Sequence, residues 1–123
     1  MFNTLLLKDV LSSDVSGTLN VVSFVDKLLE LSLEQNASDI HIEPVEEQTR
    51  VRLRIDGLLY TVVELPRSNH NAIVSRIKII SGMDIAEKRL PQDGRVDLVV
   101  SGRKVDLRIA TIPVVEGEKL VIR

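Results

Sequence analysis

The chain has 123 residues, 44% hydrophobic and 28% charged, which suffices for one domain with its own core. Its formal net charge of -2, with two Phe, one Tyr and no Trp, argues against a general polyanion binder and against nucleic-acid binding by base stacking. The absence of cysteine excludes disulfides and thiol chemistry.

The N-terminal part gives little sign of its own domain. Residues 1–19 combine a short apolar run with Ser, Asp and Gly, so we expect a linker or the tail of an upstream segment. The apolar runs are far too short to cross a bilayer, and no basic region followed by a long apolar stretch marks a signal peptide. A cytoplasmic location is therefore expected.

The first predicted element is a helix from an Asn20 cap to about Asn36. Its apolar residues recur at helical spacing and form one stripe: Val21, Val22, Val25, Leu28, Leu29 and Leu33. Beyond it the period changes to two. Ile40 and Ile42 alternate with polar residues in a strand that we expect Pro44 to stop.

Two hairpins and a second helix follow. Asp56-Gly57 is a tight-turn signal between strands 50–55 and 58–65. Asn69 is expected to cap a helix over 70–81, with Gly82 as its C-terminal glycine. After an irregular stretch through residue 95, a second hairpin spans 96–100 and 104–112, and 119–123 forms a last strand. This order predicts an α+β fold with an antiparallel sheet.

Signatures of an autonomous enzyme are missing from the sequence. It contains no G-x-x-x-x-G-K-[ST] phosphate loop, no G-x-S-x-G and no HExxH. Asp39, His41 and Glu43 share one strand face and could together ligate a metal, although a polar strand face is the commoner arrangement. We therefore assign no metal site.

Several arginines are candidates for anion contacts. Arg50, Arg52 and Arg54 form a stripe that could meet phosphate or an acidic partner, but such stripes are more often solvated and balanced by cross-strand acids. Residues 89–95 form a dense turn, in which Gly94 permits a positive φ. The turn either simply connects a helix to a sheet or places Arg89 and Arg95 on a rigid loop for a function, and the residues alone do not decide between the two.

Arg108 and Arg123 lie at neighbouring strand ends. Val105, Leu107 and Ile109 are expected to face the core, so Arg108 emerges on the opposite face, and Arg123 does so by the same alternation. Two such guanidinium groups could clamp a phosphate. From the residues alone, solvated charges are the commoner outcome.

Several segments, in order, resemble the hexameric ATPases of type II secretion and type IV pilus assembly. They are Ala37-Ser38-Asp39-Ile40-His41-Ile42-Glu43-Pro44, residues 52–57, 75–79 and 82–95, Val105-Asp106-Leu107-Arg108, and Thr111-Ile112-Pro113 followed by Gly117-Glu118-Lys119. Together they cover about residues 21–123, whereas 1–19 match nothing in that family. The pattern is most similar to the secretion and pilus-extension branch.

The resemblance implies that residues 20–123 are the second N-terminal domain of such an ATPase, with a PAS-like fold of helices packed on an antiparallel sheet. In that family a RecA-like motor domain supplies the phosphate loop. By this resemblance the 123-residue chain alone is non-catalytic and binds no cofactor, while the longer parent protein that contains the motor domain uses ATP and Mg.

The resemblance also implies site residues and partners. Arg108 and Arg123 match the two arginines that reach the nucleotide phosphates, and Arg89 and Arg95 are assigned to the inter-domain surface. Implied partners are the motor domain, neighbouring subunits of a hexamer, and the inner-membrane platform with its cytoplasmic docking proteins, with no direct nucleic-acid contact. The alternative is a free-standing PAS-like sensor or protein-interaction module.

Overall fold

The structure, a computed structural model, describes residues 20–123; the linker expected at 1–19 lies outside the described residues. Helix α1 (Val21–Glu34) is followed by strands β1 (Asp39–Val45), β2 (Gln48–Ile55) and β3 (Leu58–Pro66). A 3₁₀ turn (Arg67–Asn69) then enters helix α2 (His70–Ile80), and strands β4 (Gln92–Val100), β5 (Arg103–Val114) and β6 (Gly117–Ile122) complete the fold.

All six strands form one antiparallel sheet in the order β3-β2-β1-β6-β5-β4. Strands β1–β3 and strands β4–β6 each form a three-stranded meander, and the pairing of β1 with β6 joins the two meanders edge to edge. Both helices cover the same face of the sheet. The predicted α+β class, with helices packed on an antiparallel sheet, is confirmed. Neither described helix is long and apolar enough to span a membrane.

The core lies between the helices and the alternate strand residues that face them. It is almost wholly aliphatic, and Phe24 is the one Phe, Tyr or Trp in the buried hydrophobic cluster of residues 20–123. The central members are fully or almost fully buried: Phe24, Leu28, Ile42, Val51, Leu53, Ile73, Ile77, Ile109 and Leu120. Except in β3, where Val62 and Val63 are both buried at a register shift, the strands turn alternate residues to the core, and the remaining residues lie on a helix-free face.

The turn and cap signals were mostly correct. The Asn20 side chain caps α1 by accepting from Ser23 N–H at 3.1 Å. Asp56 and Gly57 both have positive φ, as a tight two-residue hairpin requires. Gly82 ends α2 at φ +72°, and Met83 N–H donates to Lys78 O at 2.9 Å in a Schellman arrangement.

Two predictions about α2 and β1 were wrong. Asn69 makes no side-chain cap, because the 3₁₀ turn already leads the chain into α2 in helical geometry. Pro44 does not stop β1, which continues to Val45. Only Ile40–Ile42 pair with β6, so Pro44 has a neighbouring strand on one side alone and its missing N–H breaks no ladder.

The irregular stretch predicted through residue 95 was also wrong at its end. Strand β4 begins at Gln92, four residues earlier than expected, so Gly94 and Arg95 lie in a strand and not on a loop. Gly94 is not among the residues with positive φ. It is small because a Cβ there would lie 2.8 Å from Met83 Cε and 2.9 Å from Ser81 O.

Candidate functional site: an arginine row on the helix-free face

The helix-free face carries three arginines side by side on β4, β5 and the end of β6. Arg108 and Arg123 exchange both backbone hydrogen bonds, with N···O distances of 3.0 and 2.8 Å. On its other side Arg108 is paired with Arg95 of β4. Since the Arg108 backbone groups point to Arg123, its pairing with Arg95 is the closer, non-hydrogen-bonded kind. We call Arg95, Arg108 and Arg123 the arginine row.

The three members of the arginine row differ in their partners. Arg95 is held by Asp106, with its Nε donating to Oδ1 at 3.0 Å and its Nη2 to Oδ2 at 2.6 Å. Arg123 lies beside Asp39, with Nε–Oδ1 at 3.5 Å. The exposed Arg108 side chain has no hydrogen bond or ion pair within residues 20–123. One guanidinium group is therefore free for a ligand.

A shallow concavity of about 700 Å³ opens beside the arginine row. All three arginines line it, and its floor is small and apolar at Ala110 and Val121. Like charges directly opposite one another on neighbouring strands are destabilising. A row of cations beside an open recess is therefore suited to an anionic ligand that would neutralise them.

Arg50, Arg52 and Arg54 lie on the same face but are already paired with acids. Arg50 Nη2 donates to Glu43 Oε1 at 2.9 Å, and Arg52 donates to the same oxygen. Arg54 Nε donates to Asp39 Oδ2 at 3.1 Å. The stripe is thus the balanced strand face that the sequence suggested as the commoner case.

Glu43 is the centre of that balanced cluster. Burial opposes its ionisation, but the hydrogen bond from Arg50 and the charges of Arg52 and Arg50 outweigh it and hold the pKa of Glu43 below its usual value. Lys119 Nζ adds a further cation, 3.9 Å from Glu43 Oε2. Glu43 is therefore an anion at neutral pH and is not available as a proton donor.

The alternative metal site at Asp39, His41 and Glu43 is not formed. These side chains do share one face, but no group of three His, Cys, Asp or Glu within residues 20–123 is arranged to hold a metal ion. Both His41 ring nitrogens are buried without a partner. Burial, and then the nearby charge of Lys119, lower the pKa of His41.

Arg89 does not join the arginine row. It lies in the loop between α2 and β4 and is not among the residues that line the concavity. Its backbone N–H donates to Glu87 Oε1 at 2.8 Å, so Glu87 shapes this loop locally. The structure therefore separates the two inter-domain candidates: Arg95 belongs to the row and Arg89 to the loop.

A buried polar network, which the sequence reasoning missed, fixes that loop to the sheet. Lys78 Nζ donates to Glu118 Oε1 at 2.8 Å and to Glu87 O at 2.7 Å. His70 Nε2 lies 2.7 Å from Glu118 O, and its Nδ1 lies 3.1 Å from Thr49 Oγ1. Burial lowers the pKa of His70. The available signal was that Lys78 lies four residues after Val74, on the same helix face as that buried residue.

Comparison with known proteins assigns this chain to one group of relatives. A family model described as "Type II/IV secretion system protein" matches residues 14–123. The chain is 50% identical to type II secretion system protein HxcR of Pseudomonas aeruginosa over 103 residues, covering 84% of this chain and 22% of the relative.

Two pilus proteins are similarly related. Identity is 51% over 100 residues with type IV pilus assembly ATPase PilB of Thermus thermophilus, covering 81% of this chain and 11% of the relative. With type IV pilus assembly ATPase TfpB of Acinetobacter baylyi it is 46% over 105 residues, covering 85% and 18%. The chain spans about a fifth, or less, of the length of these curated relatives.

Proposed function

Because the chain belongs to the type II/IV secretion system protein family, we propose that it is a non-catalytic N-terminal domain of a hexameric secretion or pilus-assembly ATPase. In this proposal Arg108 and Arg123 contact the phosphates of ATP held by a RecA-like motor domain. Closure of this domain onto the motor then couples hydrolysis to secretion or to pilin assembly.

The observation that carries this proposal is the backbone pairing of Arg108 with Arg123. Arg108 and Arg123 form one hydrogen-bonded residue pair of an antiparallel ladder, which fixes where their side chains start, and both emerge on the exposed face. Among the described residues Arg108 forms no hydrogen bond or ion pair, because the neighbouring acid Asp106 is engaged by Arg95. A guanidinium group in this state can donate two parallel hydrogen bonds to phosphate oxygens and balance the charge that develops during phosphoryl transfer.

The residues present in this domain indicate which parts of the ATP site it supplies and which parts the motor domain supplies. ATP with its Mg ion supplies the phosphoryl group that is transferred to water. The acids near the row, Asp39, Glu43 and Asp106, are each paired with arginines, so we assign none of them to a metal. We place the metal and the phosphate loop in the motor domain.

The proposed partners follow from the same assignment. They are the motor domain, neighbouring subunits of the ring, and the inner-membrane platform with its docking proteins. The domain would then work at the cytoplasmic side of that membrane, held there by protein contacts. The helix-free face, with its open arginine row, is the surface that we assign to the motor domain.

The rival assignment, a free-standing sensor, needs a ligand cavity between helices and sheet. The recess at that place, between α1 and β5, has only about 60 Å³. Small-molecule sites are commonly about 300–1,000 Å³. The recess therefore gives no support to a sensor.

The decisive experiment is steady-state ATP hydrolysis by the parent protein, comparing wild type with Arg108→Ala and Arg123→Ala. Arginine-finger contacts can contribute about 10³-fold to kcat, so a loss approaching that size is expected for Arg108→Ala. The matched control is Arg103→Ala, which removes an exposed arginine from the same strand. Ring assembly is checked by light scattering.

Two outcomes decide the assignment. A large fall in kcat with rings intact, absent in the Arg103 control, supports phosphate contact. Wild-type hydrolysis in both variants would overturn it and leave the arginine row as solvated charge.

A further inference from the structure

We propose that Asp39 is a positioning residue for Arg123: it holds the guanidinium group by its Nε edge and leaves both Nη groups to face the nucleotide. This inference rests on the proposed function, since it concerns how one of the two phosphate contacts is oriented.

The geometry of β1 and β6 brings the two side chains together. Ile40 pairs with Ile122, so the next residues outward, Asp39 and Arg123, are neighbours on the helix-free face. The carboxylate is largely buried, with 17% of its side chain exposed, whereas the Arg123 side chain is 74% exposed. Asp39 is thus the fixed member of the pair and Arg123 the free one.

Asp39 is itself held from the other side. Its Oδ2 accepts from Arg54 Nε at 3.1 Å, and Arg54 Nη1 donates to Gly57 O at 2.9 Å. The β2–β3 turn therefore fixes Arg54, Arg54 fixes the carboxylate plane, and Oδ1 is left pointing at Arg123. Each carboxylate oxygen serves a different arginine.

The atom that Asp39 contacts is what makes the pair useful. The contact is to Nε, 3.5 Å away, so the terminal Nη groups of Arg123 keep their donors. Arg95 shows the opposite case: Asp106 takes its Nε and its Nη2 together, at 3.0 and 2.6 Å. Asp39 thus orients Arg123 for a ligand, whereas Asp106 occupies the hydrogen-bond donors of Arg95.

The size of the effect is limited because the pair is open to water. Exposed ion pairs contribute up to about 1 kcal/mol, which corresponds to roughly a fivefold change in rate. We expect Asp39→Asn to lower kcat of the parent ATPase by about two- to fivefold with little change in KM for ATP. The asparagine keeps the shape of the side chain and removes its charge.

A double-mutant cycle separates orientation from a merely structural role. If Asp39 acts through Arg123, Asp39→Asn adds less than about twofold to the loss already caused by Arg123→Ala. The matched control is Asp26→Asn, which removes an exposed carboxylate charge on α1, away from the arginine row. Its kcat should stay within about twofold of wild type.

The outcomes distinguish this inference from the proposed function. Wild-type kcat in Arg123→Ala would overturn the phosphate contact itself. A loss in Arg123→Ala together with wild-type kcat in Asp39→Asn, or with full additivity in the double variant, would overturn only the role of Asp39.

A second variant covers a folding failure. Should Asp39→Asn not assemble into rings, Asp39→Glu keeps the charge and shifts the oxygens by one methylene. A reduced kcat with rings intact then supports the positioning role, and wild-type kcat overturns it.

Discussion

Lys78 and Glu118 form an ion pair inside the core, with Nζ–Oε1 at 2.8 Å and side chains 1% and 6% exposed. The lysine also donates to Glu87 O in the loop before β4, while Glu118 Oε2 has no partner. The pair joins α2, β6 and that loop at one point. Taking two charges out of water is costly, so each depends on the other.

We expect Lys78→Met to destabilise the domain by about 3–5 kcal/mol, because it leaves the Glu118 charge buried and unpaired. Lys78→Met/Glu118→Leu should lose less than Lys78→Met alone, since no buried charge remains. Urea unfolding of the 123-residue chain measures both. Lys104→Met, which changes an exposed lysine of β5, is the control and should stay within about 0.5 kcal/mol of wild type. A double variant worse than the single would contradict the prediction.

Gly94→Ala tests the close approach of β4 to the end of α2. The added Cβ would lie 2.8 Å from Met83 Cε and 2.9 Å from Ser81 O, so we expect a loss of about 1–3 kcal/mol in unfolding free energy. Met83→Ala in the same chain removes the side-chain clash but not the backbone one. The rescue, measured against Met83→Ala alone, should therefore be partial. Full rescue would show that Ser81 O is not an obstacle.

We expect the domain to lose stability on mild acidification because of its two histidines. Burial lowers the pKa of both His70 and His41 from 6.5, so the unfolded chain binds more protons as pH falls below that value. The unfolding free energy should therefore decrease from pH 6.5 downward until the lowered pKa values are passed. These are the chain's two histidines. In His41→Gln/His70→Gln the slope between pH 7 and 5.5 should largely vanish, and an unchanged slope would refute the assignment.

We expect a separate loss of unfolding free energy at lower pH because of Glu43. Its folded pKa lies below 4.5, so its contribution is complete above about pH 4.5 and is lost as pH falls through the folded value. Glu43→Gln should cost about 1–2 kcal/mol at pH 7, because Arg50 and Arg52 lose a charged acceptor. The gap between the two proteins should narrow on titration to pH 3. A constant gap would mean that charge is not the cause.

The helices and strands could be predicted because the spacing of apolar residues along the chain matches the side of each element that is buried in the fold. Asp56-Gly57 and Gly82 mark backbone that needs positive φ, and the structure has it at these sites. The start of β4 could not be predicted, since the reason for Gly94 is a contact with the end of α2, which is separated from it along the chain. Pro44 likewise depends on how far β6 extends along β1.

The candidate site divides along the same line. Alternation alone placed Arg108 and Arg123 on the exposed face, and the structure has them there. Which arginines are free depends on acids from other strands: Asp106 for Arg95, and Asp39 for Arg54 and Arg123. Those ion pairs depend on the register between strands, which cannot be read from a single sequence.

The shared rung of Arg108 and Arg123 has a consequence for any motion of the domain. Both side chains start from one residue pair, joined by two backbone hydrogen bonds at the end of β6, so no hinge lies between them. A tilt or shift carries both cations together. A ligand that meets this part of the sheet therefore meets two arginines whose backbone spacing is fixed.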